Sequence, residues 1–223
     1  MRLISINIGT AQSIGVRAGE IVHSAIGKRP LGKLSVFVGR LGLAGDIQAD
    51  KSVHGGVDKA VYAYPLDHAA FWQQHGVEQA PGTFGENLTL EGLDEETVAI
   101  GDRFRVGEAL LEVSEPRGPC YKLDMHLRTG AAGLMTISGR CGFYLRVIEE
   151  GVLPADGAKC SRETRSDGPN VRETFLARHG RVPDEALARI HASPALGEGW
   201  RRAIAKLLEK RGIPGIESAD SRV

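Results

Sequence analysis

Three cysteines, Cys120, Cys141 and Cys160, stand in a chain of 223 residues, and no two of them form a C-x-x-C pair. That removes the usual zinc and iron–sulfur spacings, and no C-x-x-C-H marks haem attachment. An odd count leaves at least one free thiol and suits a reducing compartment. No apolar run approaches the length that crosses a bilayer, so no spanning helix and no membrane partner are expected. The opening MRLISINIGT lacks the apolar core and small-residue cleavage site of a secretory signal, which makes cytoplasmic residence the expectation. Surplus charge is also missing: 28 basic residues meet 28 acidic ones, for a formal net charge of +0. Nucleic-acid binding draws on a positive surplus, so no nucleic-acid partner is expected, although a local basic pocket for a small anion stays compatible with the balance. Neither G-x-x-x-x-G-K-[ST] nor G-x-G-x-x-G occurs, which leaves the familiar nucleotide folds without support.

What is present is an ordinary globular composition, 42% hydrophobic and 25% charged, enough to bury a core without staples. The length suits one large domain, or one domain with a small accessory. RLISINI (Arg2–Ile8) alternates with the period of a half-buried strand. Further short strands are expected over 19–27, 33–38, 60–64, 85–90, 97–106, 109–114, 141–149 and 158–164. Pro65 is expected to open a helix running to His75, since proline suits a first helical turn. Composition changes near 166–170 (SDGPN), and helices are expected at 171–179, 184–192 and 198–211. The pattern predicts a mainly β (α+β) fold over 1–165 and a small three-helix unit over 166–223. Trp200, Arg201 and Arg202 read either as a docking surface or as a helix with one buried aromatic.

Three segments carry candidate chemistry. The sharpest is PRGPC (Pro116–Cys120), directly after a predicted strand. Pro119 would start a helix and place Cys120 in its first turn, where unpaired backbone N–H groups favour a thiolate. Arg117 and Lys122 add positive charge, a setting that makes cysteines nucleophiles or metal ligands. A buried, inert Cys120 is the alternative, and inertness is the reading taken for Cys141 and Cys160. The second segment is the long, glycine-rich stretch from residue 40 to 59, in which His54 precedes Gly55 and Gly56, followed by Asp58 and Lys59. Long loops of this kind often carry function, and a Gly-Gly turn exposes N–H groups that cradle phosphate, with Lys59, Lys28 and Arg29 to neutralise it. A turn-rich connection whose histidine caps a backbone group fits equally well. In the third, PGTFGENLTLEGL (81–93), Glu86 and Asn87 offer the acceptors and donors that suit the edge of a heterocycle, or else form a solvated strand end.

Taken in order along the chain, GLAGDIQADKSVHGGVDKAVYAYP (42–65), PGTFGENLTLEGL (81–93), IGDRFRVGEALLEVSEPRGPCYKL (100–123) and GRCGFYLRVIEEG (139–151) resemble the MOSC family, the domain also found at the C-terminus of molybdenum-cofactor sulfurases, and its YiiM-like branch in particular. The resemblance covers roughly residues 1–165, and the tail is similar to the three-helix unit that often follows in that branch. It implies a barrel-like β fold and a pterin-based molybdenum cofactor (molybdopterin); the family is also associated with pyridoxal phosphate binding. The family's cysteine falls on Cys120, a molybdenum ligand in reductase relatives and a proposed sulfur carrier in the sulfurase setting. The branch is associated with reduction of N-hydroxylated compounds, including hydroxylaminopurine bases. Carried over position by position, Lys28, His54, Asp58, Lys59, Glu86, Asn87 and Arg117 become cofactor-pocket candidates, with Arg29 the alternative to Lys28 and with His54 or Asp58 as proton donor. The expected partners are a small N-hydroxylated substrate, a separate flavin-type reductase as electron donor, and a second copy in a homodimer. A persulfide-carrying sulfur-transfer protein and a non-catalytic cofactor carrier are the rival readings.

Overall fold

The computed structural model describes residues 1–47 and 55–213. The alternating segment at the start forms β1 (Arg2–Ile8), which buries Leu3 and Ile6. The strands that follow are β2 (Gln12–Arg17), β3 (Glu20–Ser24), β4 (Arg29–Pro30), β5 (Val36–Gly39), β6 (Gly42–Leu43), β7 (Val61–Pro65), β8 (Leu88–Glu91), β9 (Arg103–Val106), β10 (Ala109–Pro116), β11 (Phe143–Glu149), β12 (Gly151–Leu153) and β13 (Ser161–Thr164). The helices are α1 (Ala69–Gln74), α2 (Tyr121–Leu127), α3 (Ala131–Ser138), α4 (Val171–Arg178), α5 (Asp184–His191) and α6 (Glu198–Lys210).

Eight strands form one sheet in the order β13-β9-β10-β11-β7-β8-β1-β4. Its neighbours pair antiparallel except β7 and β8, which run parallel with Ala63 opposite Leu88. The sheet curls into a half-barrel flanked by a β12-β5-β6 sheet and a β2-β3 hairpin, so the fold is the mostly β, α+β type expected. Every residue of β10 is buried, because the curled sheet covers one face and the C-terminal helices the other. Among the described residues no helix is long and apolar enough to cross a membrane.

The C-terminal helices fall where their sequence signals put them. The Asn170 side chain accepts the Glu173 N–H at 2.7 Å and caps α4, and Asp184 opens α5 behind Pro183. Trp200 is buried against Phe175. Arg201 donates to the carbonyls of His191 and Ser193, so this pair faces inward, while Arg202 pairs with Glu198 at the surface.

Local structure departs from the sequence reading at several places, and the strands β2 and β12 went unread. Pro65 closes β7, pairing with Leu90, and also caps the helical run expected up to His75, whose first turn (Leu66–His68) is 3-10 rather than α. Residues 97–102 are not strand, because Asp94 accepts the Thr97 N–H and Asp102 accepts the Ala99 N–H, curling the chain before β9. Helix α3 went unread, its AAGLMTIS carrying too weak an apolar stripe to announce it. Cys120 does not sit in the first turn of α2; it is the extended N-cap residue, at φ −135° and ψ 166°.

The junction of β7, β10 and β11 turns on Gly142. Its φ is +66°, its N–H donates to Glu95 Oε1 at 2.7 Å, and a Cβ there would stand 2.5 Å from the Ala63 carbonyl oxygen. Gly142→Ala is expected to destabilise the fold by at least about 2 kcal/mol, read as a lower urea midpoint at unchanged m value.

Candidate functional site

The loops after β3, β6 and β10 and the loop before β8 converge on one partly open cleft with a volume of about 100 Å³. Lys28, Asp46, Lys59, Asn87, Arg117, Cys120 and Lys122 line it together with Tyr62 and Tyr144. Residues from all three candidate segments are therefore brought to a single place.

Asp46 is the hub of one wall. Its Oδ1 accepts the Gly9 N–H at 2.8 Å, its Oδ2 accepts Asn87 Nδ2 at 2.9 Å, and both oxygens take the Lys28 ammonium. The Lys28 and Asp46 side chains are only 9% and 6% exposed. Burial pulls the Lys28 pKa down, and the Asp46 carboxylate works against that pull. Asn87 also accepts the Tyr62 N–H through Oδ1 at 3.1 Å, so one end of its amide holds β7 and the other the loop that carries Asp46.

Glu86 stands behind that wall, fully buried. Its carboxyl accepts the N–H groups of Gly82 and Phe84 at 2.7 and 3.0 Å and the Thr89 hydroxyl at 2.8 Å. Burial raises its pKa to about 7 while these donors hold it down. Its work is to shape the turn that carries Gly85 into the cleft.

The opposite wall comes from β10, β11 and the start of α2. Tyr62 and Tyr144 are cross-strand partners on β7 and β11. The Arg117 guanidinium lies 5.1 Å from the centre of the Tyr62 ring and 3.6 Å from Met135 Sδ. Arg117 is buried, and among the described residues no carboxylate pairs with it. Cys120 is half-buried at the edge of this surface, whereas Cys141 and Cys160 are buried in the core. Burial pushes the Cys141 thiol well above its ordinary range and that of Cys160 up to about 11, so neither supplies a thiolate near neutrality.

The remaining sequence candidates have other surroundings. Asp58 pairs with Arg146 at 2.8 Å and accepts the Glu198 N–H at 3.0 Å, which ties the 3-10 turn Val57–Lys59 to α6 and turns this carboxylate away from the cleft. Arg29 is exposed in β4, and the cleft is lined by Lys28 instead. His54 lies outside the described residues. Sequence reasoning missed Asp46, Tyr62 and Tyr144. The two tyrosines sit in runs that read as ordinary strands, and Asp46 carried no partner signal until Lys28 came beside it.

The chemistry of this donor set is specific. A guanidinium that cannot lose its proton is buried without a counter-charge, and an anion is what would compensate it. A soft sulfur and, besides the Lys28 held by Asp46, two further lysines share the same space, so the cleft suits an anionic cofactor whose metal prefers sulfur.

The MOSC domain model matches residues 50–158. Protein YiiM of Escherichia coli (strain K12) is 41% identical over 190 residues, which span 82% of this chain and 83% of that protein. A Gibberella moniliformis protein named Reductase is 37% identical over 149 residues, 61% of this chain and 26% of that protein. The crystal structure of YiiM from Geobacillus stearothermophilus matches with a TM-score of 0.76 at 33% identity, covering 93% of this chain and 98% of that one.

Asp46→Ala removes the carboxylate that satisfies a buried ammonium, a buried amide and the Gly9 N–H together. The variant is expected to lose about 3–5 kcal/mol of stability at neutral pH, measured by urea denaturation.

Proposed function

This chain belongs to the MOSC domain family, and from that footing we propose that it is a reductase whose cleft holds a molybdenum cofactor with Cys120 as the sulfur ligand of the metal. The observation that carries this reading is the buried, carboxylate-free Arg117 sharing one cleft with the half-buried thiol of Cys120. The relative named Reductase supports the class of reaction.

Arg117 and Lys122 would meet the negative charge of the pterin phosphate, with Arg117 offering a planar fork that suits phosphate oxygens. Lys28 is locked to Asp46 and sets the shape of the wall. Tyr62 and Tyr144 supply a dry aromatic floor that strengthens each of these charge contacts. Among the described residues no cluster of three or more His, Cys, Asp or Glu is placed to hold a metal ion. Cys120 would thus be the protein's contribution to a metal otherwise held by the cofactor. When bound, the molybdenum cofactor supplies a two-electron reduction, and N-hydroxylated compounds, among them hydroxylaminopurine bases, are the substrate class proposed. The electrons would come from a separate flavin-type reductase, because the sequence has no dinucleotide fingerprint and no cysteine set for an iron–sulfur cluster.

Protein from a cofactor-competent host is expected to carry close to one molybdenum per chain. Cys120→Ser is expected to fold, to hold the metal poorly and to lose reduction by more than about 100-fold, while Cys141→Ser and Cys160→Ser stay active. Cyanide-releasable sulfur without metal would point instead to sulfur transfer, and normal cofactor content without reduction by any donor to a carrier. Purified protein alone is expected not to oxidise NADH with an N-hydroxylated purine, and an added flavin reductase is expected to start turnover. Full activity without any partner would overturn the proposed electron route.

A further inference from the structure

Glu115 is the penultimate residue of β10, immediately before Pro116–Cys120. Its side chain is 1% exposed, and among the described residues neither carboxyl oxygen receives a hydrogen bond. Closest in charge is the Lys59 ammonium, 3.8 Å from Oε1, inside ion-pair range but beyond hydrogen-bond range. Lys59 reaches the other way into the cleft, its side chain 27% exposed. One lysine thus joins a sealed carboxyl to the place where Cys120 lies.

The seal is built by the C-terminal helices. Gly197, the N-cap of α6, packs so closely that a Cβ would stand 2.2 Å from Glu115 Oε2, which leaves no room for a water on that side. Its N–H donates to the Ser114 carbonyl at 2.9 Å and holds α6 down over the carboxyl. A buried carboxylate without hydrogen-bond donors is costly, so this group favours its protonated form. Burial raises its pKa to about 7. The charged and titratable neighbours are Lys59 and Asp58 on the 3-10 turn, Arg146 and Tyr144 on β11, and Arg178 on α4. Lys59 and the two arginines pull the value down and Asp58 pushes it up.

We propose that Glu115 stores a proton for the Cys120 cleft and delivers it through the Lys59 ammonium, an inference that rests on the reductase reading. Reduction of an N-hydroxylamine to the amine and water consumes two electrons, drawn from the flavin-type donor, and two protons. In this relay the Lys59 ammonium gives one proton to the departing hydroxyl oxygen as the N–O bond breaks. The neutral lysine then takes the Glu115 proton, leaving an ammonium beside a carboxylate. The second proton comes from solvent, and Glu115 regains its own through the same lysine before the next turnover. Glu115 touches no substrate; it positions and recharges the group that does.

The test has two arms. In the first, the intact protein is titrated from about pH 5 to about pH 9 while the infrared band of a protonated carboxyl is followed. The difference between wild type and Glu115→Gln, which cancels the Glu86 carboxyl that also titrates near 7, is expected to show one such band lost with a midpoint near 7. Lys59→Met is expected to move the midpoint upward, because it removes the nearest cation. A Glu115 ionised across the whole range overturns the proposal. In the second arm, cofactor-loaded Glu115→Gln is assayed with an N-hydroxylated purine and a flavin reductase. It is expected to keep its molybdenum content and KM, to lose at least about tenfold in kcat, and to lose the limb of the pH profile near neutrality. Wild-type kcat and pH profile in that variant overturn the proposal. A wild type inactive toward every N-hydroxylated substrate sinks the reductase reading and the relay with it, and the infrared arm still decides where the proton is held.

Discussion

The guanidinium of Arg117 holds a permanent charge in a place from which water is largely excluded. Tyr62 offers it a ring face and Met135 a sulfur, and among the described residues no carboxylate neutralises it. Side chains of this kind do not escape the cost of burial by losing a proton, as a lysine does. The protein therefore carries a standing electrostatic debt at the floor of its cleft, and an anionic ligand removes it. The aromatic walls, the two lysines and the half-buried thiol acquire a common purpose once that requirement is recognised. Each either strengthens the attraction for an anion or stands where the anion's reactive end would come.

The buried acids around the cleft divide by what they accept. Asp46 takes the Gly9 N–H, Glu86 those of Gly82 and Phe84, Glu95 that of Gly142, and Asp102 those of Ala99 and Ser166. These carboxylates hold irregular backbone in shape, and their oxygens are occupied in doing so. Among the described residues, Glu115 accepts no hydrogen bond. The pKa does not separate the two kinds, since burial raises both Glu86 and Glu115 to about 7. Hydrogen bonding does: removing the proton from Glu86 leaves an anion with three donors, and removing it from Glu115 leaves one that relies on an ammonium 3.8 Å away. An acid with occupied oxygens is a strut, and one with empty oxygens beside a lysine ammonium is suited to exchange its proton.

How much of this was legible in the residues follows from the range of the forces involved. RLISINI and the three C-terminal helices were readable because their signals are local: alternation, an Asn170 cap, a Pro183–Asp184 start. Pro65 was readable as the start of a helical run, but its parallel pairing with Leu90 was not, being a contact between segments with no local signature. Residues 97–102 misled because alternating apolar residues also suit a chain curled by Asp94 and Asp102. In the site, Cys120, Arg117 and Lys59 were visible by chemistry and by the family resemblance, and the structure brings them together. Asp58 looked equally chemical, yet its charge is committed to Arg146, 88 residues away. Asp46, Tyr62 and Tyr144 were invisible for the converse reason: each takes its meaning from a partner distant in sequence.

The C-terminal helices act on the site without entering it. They reach β10 through the Gly197 N–H on the Ser114 carbonyl, the 3-10 turn through the Glu198 N–H on Asp58, and β11 through the Arg146 guanidinium on the Ala195 carbonyl. Those bonds press α6 against the far side of the strand that leads to Cys120, and Gly197 is the residue that lets the backbone come so near. Without that cover Glu115 would be hydrated, and a hydrated carboxyl releases its proton well below neutral pH. The helices thus set the solvent environment behind the cleft while the half-barrel sets its geometry. Residues from distant parts of the chain must fold together before the acid beside Lys59 is sealed from solvent.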